Sequence, residues 1–226
     1  MASAAGIIEL ARDDTAAVAA QLRAHPYVAA VEAGRLPRED LSRFAGEQRH
    51  IIASDLRSVA HLVSRFGGGP ARSFFLDVLA GEQAAFEALD PLARGLGLPL
   101  SALEDYEPLA GAHAYTCYMA WLSVYGSAAD VATAYLVNFP AWGANCGRLS
   151  IGLRSQYGLQ PEHVAFFDLF SAPAPGFEAA AAEVIEADMA AGADPTRIRR
   201  AVRLLQAYEL MYWDTLYEAS FGRIEP

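Results

Sequence analysis

A glutamate near the C-terminal end of the chain interrupts an apolar stripe at helical spacing. The stripe consists of Ile198, Val202, Leu205, Glu209, Tyr212 and Leu216. Spacings of three and four residues put Glu209 on the buried face of the predicted helix. Burial disfavours a charged carboxylate, so we expect a raised pKa for Glu209, which suits a general acid or base near neutral pH. A structural pairing with a core arginine or tyrosine is the open alternative.

A second predicted helix also carries polar residues among its apolar positions. Its stripe runs through Leu41, Phe44, Gln48, Ile52, Asp55, Val59, Leu62 and Phe66. Gln48 either contributes to a ligand site or hydrogen-bonds a neighbouring helix. Asp55 is expected to pair with an arginine, such as Arg49 or Arg57. Glu47 flanks the stripe, one residue from Gln48.

Aromatic residues recur on two further predicted helices. Tyr115, Tyr135 and Trp142 each fall on an apolar stripe, where they could wall a pocket for a flat ligand. An ordinary aromatic core is the alternative for all three.

Metal-ligating and nucleophilic residues form incomplete sets. Glu47 and His50 have the Glu-x-x-His spacing of helical di-iron sites, and Glu82 could approach from the next helix, but the motif occurs once. We therefore expect no metal and no other cofactor. Cys117 lies four residues after His113, which allows a Cys–His contact, whereas a buried free cysteine usually acts as a small hydrophobe.

The composition narrows the class of protein. The chain has 226 residues, of which 54% are hydrophobic, and its net charge is -10. This charge argues against nucleic acid as a partner. All 17 basic residues are arginine, which removes lysine-based chemistry. The N-terminal segment lacks signal-peptide features, and polar residues interrupt the longest apolar stretch, so we expect a cytoplasmic protein without a membrane span.

The elements that must position these residues are all predicted to be helices. Strand signals are nearly absent, and proline and glycine mark the helix ends. The predicted helices cover about 5–24, 37–67, 70–95, a short segment from 101, 108–125, 128–157, 161–170, 176–191 and 195–221. We predict an all-α fold: one helical bundle formed as a single domain over residues 1–226.

Three short motifs resemble those of the TenA / thiaminase-II family. The first is His25-Pro-Tyr-Val28 followed by Gly34-Arg-Leu-Pro37, and the second is Tyr115-Thr-Cys-Tyr-Met119. The third is Tyr208-Glu-Leu-Met-Tyr-Trp-Asp214, which is similar to the closing segment of the family. The resemblance extends over about residues 15–221. It implies the haem-oxygenase-like helical fold and a homodimer or homotetramer.

The resemblance also implies an activity, which is metal-free hydrolysis of aminopyrimidines in thiamin salvage. Glu209 falls on the catalytic glutamate of the family, and Tyr115 on a tyrosine of the pyrimidine pocket. Gln48 stands where the family has an aspartate, and Ile51 where it has a tyrosine. The segment that carries the nucleophilic cysteine in the family reads Asn138-Phe-Pro-Ala-Trp142 here. A subclass without this cysteine relies on glutamates, and Glu47 could supply the second one.

Three functions are consistent with these residues. The first is a cysteine-independent hydrolase, in which Glu209 and Glu47 are catalytic. Its substrate-binding residues would be Gln48, Tyr115, Trp142, Tyr212 and Phe44. The second is a non-haem iron oxidoreductase on the same fold. The third is a non-catalytic or regulatory protein that binds a small molecule.

Overall fold

The computed structural model describes residues 3–172 and 174–222, and this part of the chain is helical and contains no strand. Its helices are α1 (Ala4–Arg23), α2 (Pro26–Glu32), α3 (Arg38–Arg65), α4 (Gly69–Leu96), α5 (Ser101–Glu104), α6 (Ala110–Tyr125), α7 (Ala128–Tyr157), α8 (Ala165–Ser171), α9 (Phe177–Ala190) and α10 (Pro195–Phe221). A 3-10 turn, Pro161–Val164, leads into α8. The predicted all-α class is confirmed.

Local chemistry explains where these helices begin and end. Ser127 and Asp130 form a reciprocal capping box at the start of α7. Asp194 caps α10, and proline occupies its first position. Gly97 and Gly158, both at positive φ, end α4 and α7.

The short helix α2 was not among the predicted elements. Pro26 occupies its first position, and the Nδ1 atom of His25 accepts a hydrogen bond from the Tyr27 amide. The Nε2 atom of the same imidazole lies 3.0 Å from Asp214 Oδ1 in α10. His25 therefore caps one helix and links it to another.

Neighbouring helices pack closely around α7. Nineteen residues of this 30-residue helix are buried. Gly143 leaves no room for a Cβ atom, because the backbone carbonyl oxygen of Phe170 lies against it. Gly152 is less tightly enclosed, since a Cβ atom there would lie 3.1–3.2 Å from backbone atoms of Val31 and Glu32. Glycine at these positions lets α8 and α2 approach α7 to backbone contact.

Two apolar clusters form the core. One joins α1, α9 and the N-terminal halves of α7 and α10, and the other joins α2, α8 and the C-terminal halves of α7 and α10. Tyr115 of α6 packs against both clusters. The polar cavity described below lies where the two clusters meet. Within the described residues, no helix combines the length and the apolar character that crossing a membrane requires.

Candidate functional site

A cavity between six helices gathers most of the polar residues that interrupt the apolar stripes. Its polar lining is Gln48 and Asp55 from α3, Glu82 from α4, Tyr115 from α6, Asn138 from α7, and Glu209 and Tyr212 from α10. Its apolar wall is Ile51, Ile52, Phe139, Trp142 and Phe170. The cavity has a volume of about 50 Å³. A cavity of about 150 Å³ accommodates benzene, so an aromatic ligand would require the walls to separate.

Glu209 is buried at this cavity, as its stripe predicted, with only 2% of its surface exposed. Its Oε1 atom accepts a hydrogen bond from the Trp213 indole nitrogen at 3.2 Å, one turn further along α10. Its Oε2 atom makes no hydrogen bond of normal geometry among the described residues, although the Asn138 amide lies near enough to the carboxyl group to affect its pKa. Burial raises the pKa of Glu209 to about 7, although Trp213 and the Asn138 amide act in the opposite direction. Both protonation states are therefore accessible near neutral pH.

Asp55 and Glu82 bring two further carboxyl groups to the cavity. Asp55 is 4% exposed, and its Oδ1 atom has no hydrogen-bond partner within the described residues. Burial and the nearby Glu82 carboxyl raise the pKa of Asp55 well above its usual range. Burial raises the pKa of Glu82 to about 7. The arginine pairing expected for Asp55 is not found among the described residues: Arg49 pairs with Asp90, Arg57 is exposed, and the neighbouring charge that acts on Asp55 is Glu82.

Two tyrosines lie in the field of these carboxyl groups. The pKa of the Tyr115 hydroxyl is raised far above its usual value. Burial is the largest cause, and the negative charges of Asp55, Glu209 and Glu82 add to it. The pKa of the Tyr135 hydroxyl is also raised, mainly by burial and then by Asp55 and Glu82. This hydroxyl has no hydrogen-bond partner in the described part of the chain. Both hydroxyl groups therefore keep their protons and can donate hydrogen bonds.

Gln48, Tyr212 and Trp142 form the opposite side of the cavity. The Gln48 Nε2 atom donates a hydrogen bond of 2.8 Å to the Tyr212 hydroxyl, which joins α3 to α10. Trp142 meets Tyr212 edge to face, with ring centroids 6.4 Å apart, and meets Phe170 in the same manner at 5.9 Å. Trp142 and Phe170 are only half-buried, so these two rings are the part of the wall most able to move.

The two remaining predicted site residues do not line the cavity. Glu47 is fully buried, and its Oε1 atom accepts hydrogen bonds from the Tyr106 hydroxyl at 2.8 Å and the Leu109 amide at 2.7 Å. It therefore anchors the segment that precedes α6. Phe44 stacks on Phe167 with centroids 5.2 Å apart, inside the apolar core. The structure gives both residues a structural place, away from the cavity.

The donors considered for a metal site are not gathered at one point. His50 Nε2 lies 2.9 Å from His113 Nδ1, while Glu47 holds Tyr106 and Leu109. Among the described residues, no group of three or more His, Cys, Asp or Glu side chains is arranged to hold a metal ion.

The two cysteines differ in accessibility, and neither lines the cavity. Cys117 is exposed in a separate groove between α6 and α10. Cys146 is fully buried, and burial, followed by the nearby Glu209, raises the pKa of its thiol well above its usual value. A thiol held protonated in this way is a poor nucleophile.

Asp55, Glu82 and Asn138 are polar residues of the cavity that the sequence did not identify as substrate-binding or catalytic. Asp55 carried a signal, since it lies seven residues after Gln48 and therefore on the same face of α3. The sequence relates Glu82 only to the incomplete metal-ligand set of Glu47 and His50, which it could approach from the next helix. The orientation of Asn138 depends on the segment around Pro140, which periodicity alone does not define.

A comparison with known protein families gives one match to this chain. The description of the matching family is TENA/THI-4/PQQC, and the match covers residues 12–219. A search of curated proteins finds no match.

Solved structures show the same fold at low sequence identity. A TenA homologue from Pseudomonas syringae has a TM-score of 0.78 and 14% identity, and the match covers 96% of each chain. A TenA homologue from P. horikoshii has a TM-score of 0.74 and 18% identity, with 94% of this chain and 98% of that chain covered. A domain with a haem oxygenase-like fold from Shewanella denitrificans has a TM-score of 0.73 and 14% identity, with 93% and 94% covered. The predicted haem-oxygenase-like fold is confirmed.

Proposed function

Because the chain belongs to the TENA/THI-4/PQQC family, we propose that it hydrolyses a carbon–nitrogen bond of an aminopyrimidine or related amine in thiamin salvage, without a nucleophilic cysteine. One observation carries this proposal. Glu209 combines burial at the cavity, a free carboxyl oxygen and a pKa of about 7. The family resemblance assigns the catalytic glutamate to the same residue.

Glu209 would act as general acid and then as general base. The protonated carboxyl gives its proton to the departing amine as the carbon–nitrogen bond breaks. A water molecule forms the new carbon–oxygen bond, and its released proton restores the carboxyl group. The products are an alcohol and ammonia or an amine, so the reaction consumes one water and needs no other reactant. The hydrogen bond from Trp213 would keep the carboxyl oriented throughout.

The other predicted binding residues at the cavity would hold the substrate. Tyr115 and Trp142 offer aromatic surfaces to a flat ring. Gln48 and Tyr212, which are hydrogen-bonded to each other, would orient the amine or the water. Glu47 and Phe44 have no part in this proposal, because both are engaged elsewhere.

Water is the nucleophile that this cavity supports. The protonated, buried thiol of Cys146 does not line the cavity. The position after Pro140, where the resemblance leads one to expect a cysteine, is Ala141. A direct attack by water requires the leaving amine to be protonated efficiently, which is the role given to Glu209.

A turnover assay tests this proposal. Thiamin and 4-amino-5-aminomethyl-2-methylpyrimidine are incubated with the protein at neutral pH, and the products are separated by chromatography. We expect release of the hydroxymethylpyrimidine. Tight binding of either compound without release would support the alternative of a non-catalytic binding protein and overturn the hydrolase.

We also propose that the chain forms a homodimer or homotetramer through the groove between α6 and α10. Trp121, Val124 and Tyr125 of α6 and Leu204 and Met211 of α10 are exposed apolar residues, and such patches commonly mark protein interfaces. Sedimentation velocity should report an oligomer that Trp121→Glu dissociates. A monomer at all concentrations would contradict this.

A further inference from the structure

The proposed reaction leaves two carboxyl groups of the cavity without a role. We propose that Asp55 and Glu82 form a recognition subsite for a cationic nitrogen group, an ammonium or amidinium, of the ligand. The subsite deepens the proposed function in that it describes the substrate class of the same cavity. Asp55 and Glu82 would be binding residues, while Glu209 acts on the bond that breaks.

Three polar atoms of the cavity lining are fully buried and make no hydrogen bond among the described residues, and all three are oxygens that can accept one. They are Asp55 Oδ1, Asn138 Oδ1 and Glu209 Oε2, and each is buried without a partner among the described residues. Buried polar atoms are normally satisfied, so three unsatisfied acceptors around one cavity indicate a ligand that donates hydrogen bonds. Ammonium and amidinium groups carry several donors and no acceptor.

The charged residues that line the cavity also favour a cationic ligand. Three of its lining side chains are carboxylic acids, and none of the lining residues that the structure describes is an arginine or histidine. Carboxylates are rarely buried without a cationic partner. The chain contains 17 arginines, yet Arg49 pairs with Asp90 and Arg65 binds backbone carbonyl groups. A cationic ligand would supply the counter-charge that the protein itself leaves out.

The position of Asp55 distinguishes this subsite from the one that the family resemblance implies. Gln48 stands where the resemblance leads one to expect a carboxylate, and Asp55 lies seven residues later on the same face of α3. Seven residues correspond to two turns, or about 10 Å along the helix axis. The carboxylate of this face has therefore moved from the Tyr212 end of the cavity toward Glu82.

Binding of a cation at this subsite should be coupled to the release of protons from the two carboxyl groups. Among the described residues, the titratable groups that other helices bring to this cavity or close to it are Tyr115 from α6, Tyr135 from α7, and Glu209 and Tyr212 from α10. None of them is positively charged, so the raised pKa values reflect burial, to which the neighbouring Glu82 carboxyl adds in the case of Asp55. A bound cation favours the ionised carboxylates, and we expect binding to release protons and to weaken as the pH falls below about 7.

Paired probes of equal shape test the proposal. Benzylamine is a cation at neutral pH, and benzyl alcohol is its neutral counterpart, so the cost of opening the cavity for the ring is common to both. We expect calorimetry to give at least about tenfold tighter binding of benzylamine to the wild type. Asp55→Asn and Glu82→Gln should each remove this preference and leave the affinity for benzyl alcohol within about threefold. Glu87→Gln, an exposed position on α4, is the matched control.

Two further measurements keep the test decisive. Methylammonium, followed by NMR, needs no room for a ring, so it replaces benzylamine if the aromatic probes are excluded. Calorimetry in buffers of different ionisation enthalpy reports the expected proton release. Equal affinity for the two probes, no binding of either cation, or an unchanged preference in both variants would overturn the subsite. None of these outcomes depends on turnover of an aminopyrimidine, which tests the proposed function separately.

Discussion

We expect Glu209→Gln to lower kcat for the aminopyrimidine by about 10²- to 10⁴-fold, the range typical of a lost general acid or base. The amide has the size of the carboxyl group and can still accept the hydrogen bond from Trp213. It cannot deliver a proton to the departing amine. The loss should therefore fall on kcat, with KM changed little, because Gln48, Tyr115 and Trp142 are untouched.

The control for this variant lies on the same helix. Glu218→Gln removes an exposed carboxylate from α10 and should leave both kcat and KM unaltered. In the wild type, kcat should depend on a group that titrates near pH 7, and the variant should lose this dependence of kcat. A Glu209→Gln protein that retains more than about a tenth of the wild-type rate would remove Glu209 from the chemistry.

Glu209 should also make the folded protein less stable as the pH rises. Its pKa is raised from 4.5 in the unfolded chain to about 7 in the folded protein. Between these values the folded state holds more protons, so the free energy of unfolding decreases as the pH increases. The contribution is absent below about pH 4.5 and amounts to about 3 kcal/mol of destabilisation above about pH 7. Glu82 and Asp55 act in the same direction, because their pKa values are also raised.

Comparing wild type with Glu209→Gln separates the effect of Glu209 on the free energy of unfolding from the effects of other titrating groups. Burial lowers the pKa of His25 and His50, and this acts in the opposite sense around pH 6.5. The free energy of unfolding of wild type and of Glu209→Gln is measured in urea at about pH 5 and about pH 8.5. Because both proteins contain these histidines, the difference between the two free energies excludes their contribution. The variant should gain stability relative to wild type at the higher pH. An equal difference at both pH values would mean that Glu209 is ionised throughout.

Residues that interrupt a regular stripe were the part of the site that the sequence revealed. Glu209 and Gln48 each replace an apolar residue at helical spacing, and both line the cavity. Successive residues of a helix point about 100° apart, which is why Glu47 faces Tyr106 while its neighbour Gln48 reaches the cavity. Phe44 shares the face of Gln48 but lies one turn earlier, beyond the end of the cavity.

Residues whose role depends on a partner in another helix could not be predicted in this way. The role proposed for Glu82 depends on the packing of α4 beside α3, which brings its carboxyl group close to Asp55. A stripe pattern describes one helix at a time and carries no information on such pairs. The helices themselves were largely predictable, because proline, glycine and capping residues mark their ends. The helix α2 was missed because its seven residues are too few to show a period.

The unequal exposure of the two cysteines makes this chain simple to label. A maleimide dye would attach at Cys117 and spare Cys146, which has no exposed surface and a thiol held protonated. The chain contains no lysine, so no lysine side chain can react with the maleimide in place of the thiol. One fluorophore per chain would then lie in the groove between α6 and α10. Because the proposed interface covers this groove, the dye should attach more slowly to the oligomer than to the Trp121→Glu variant, so the labelling rate reports whether two copies meet there.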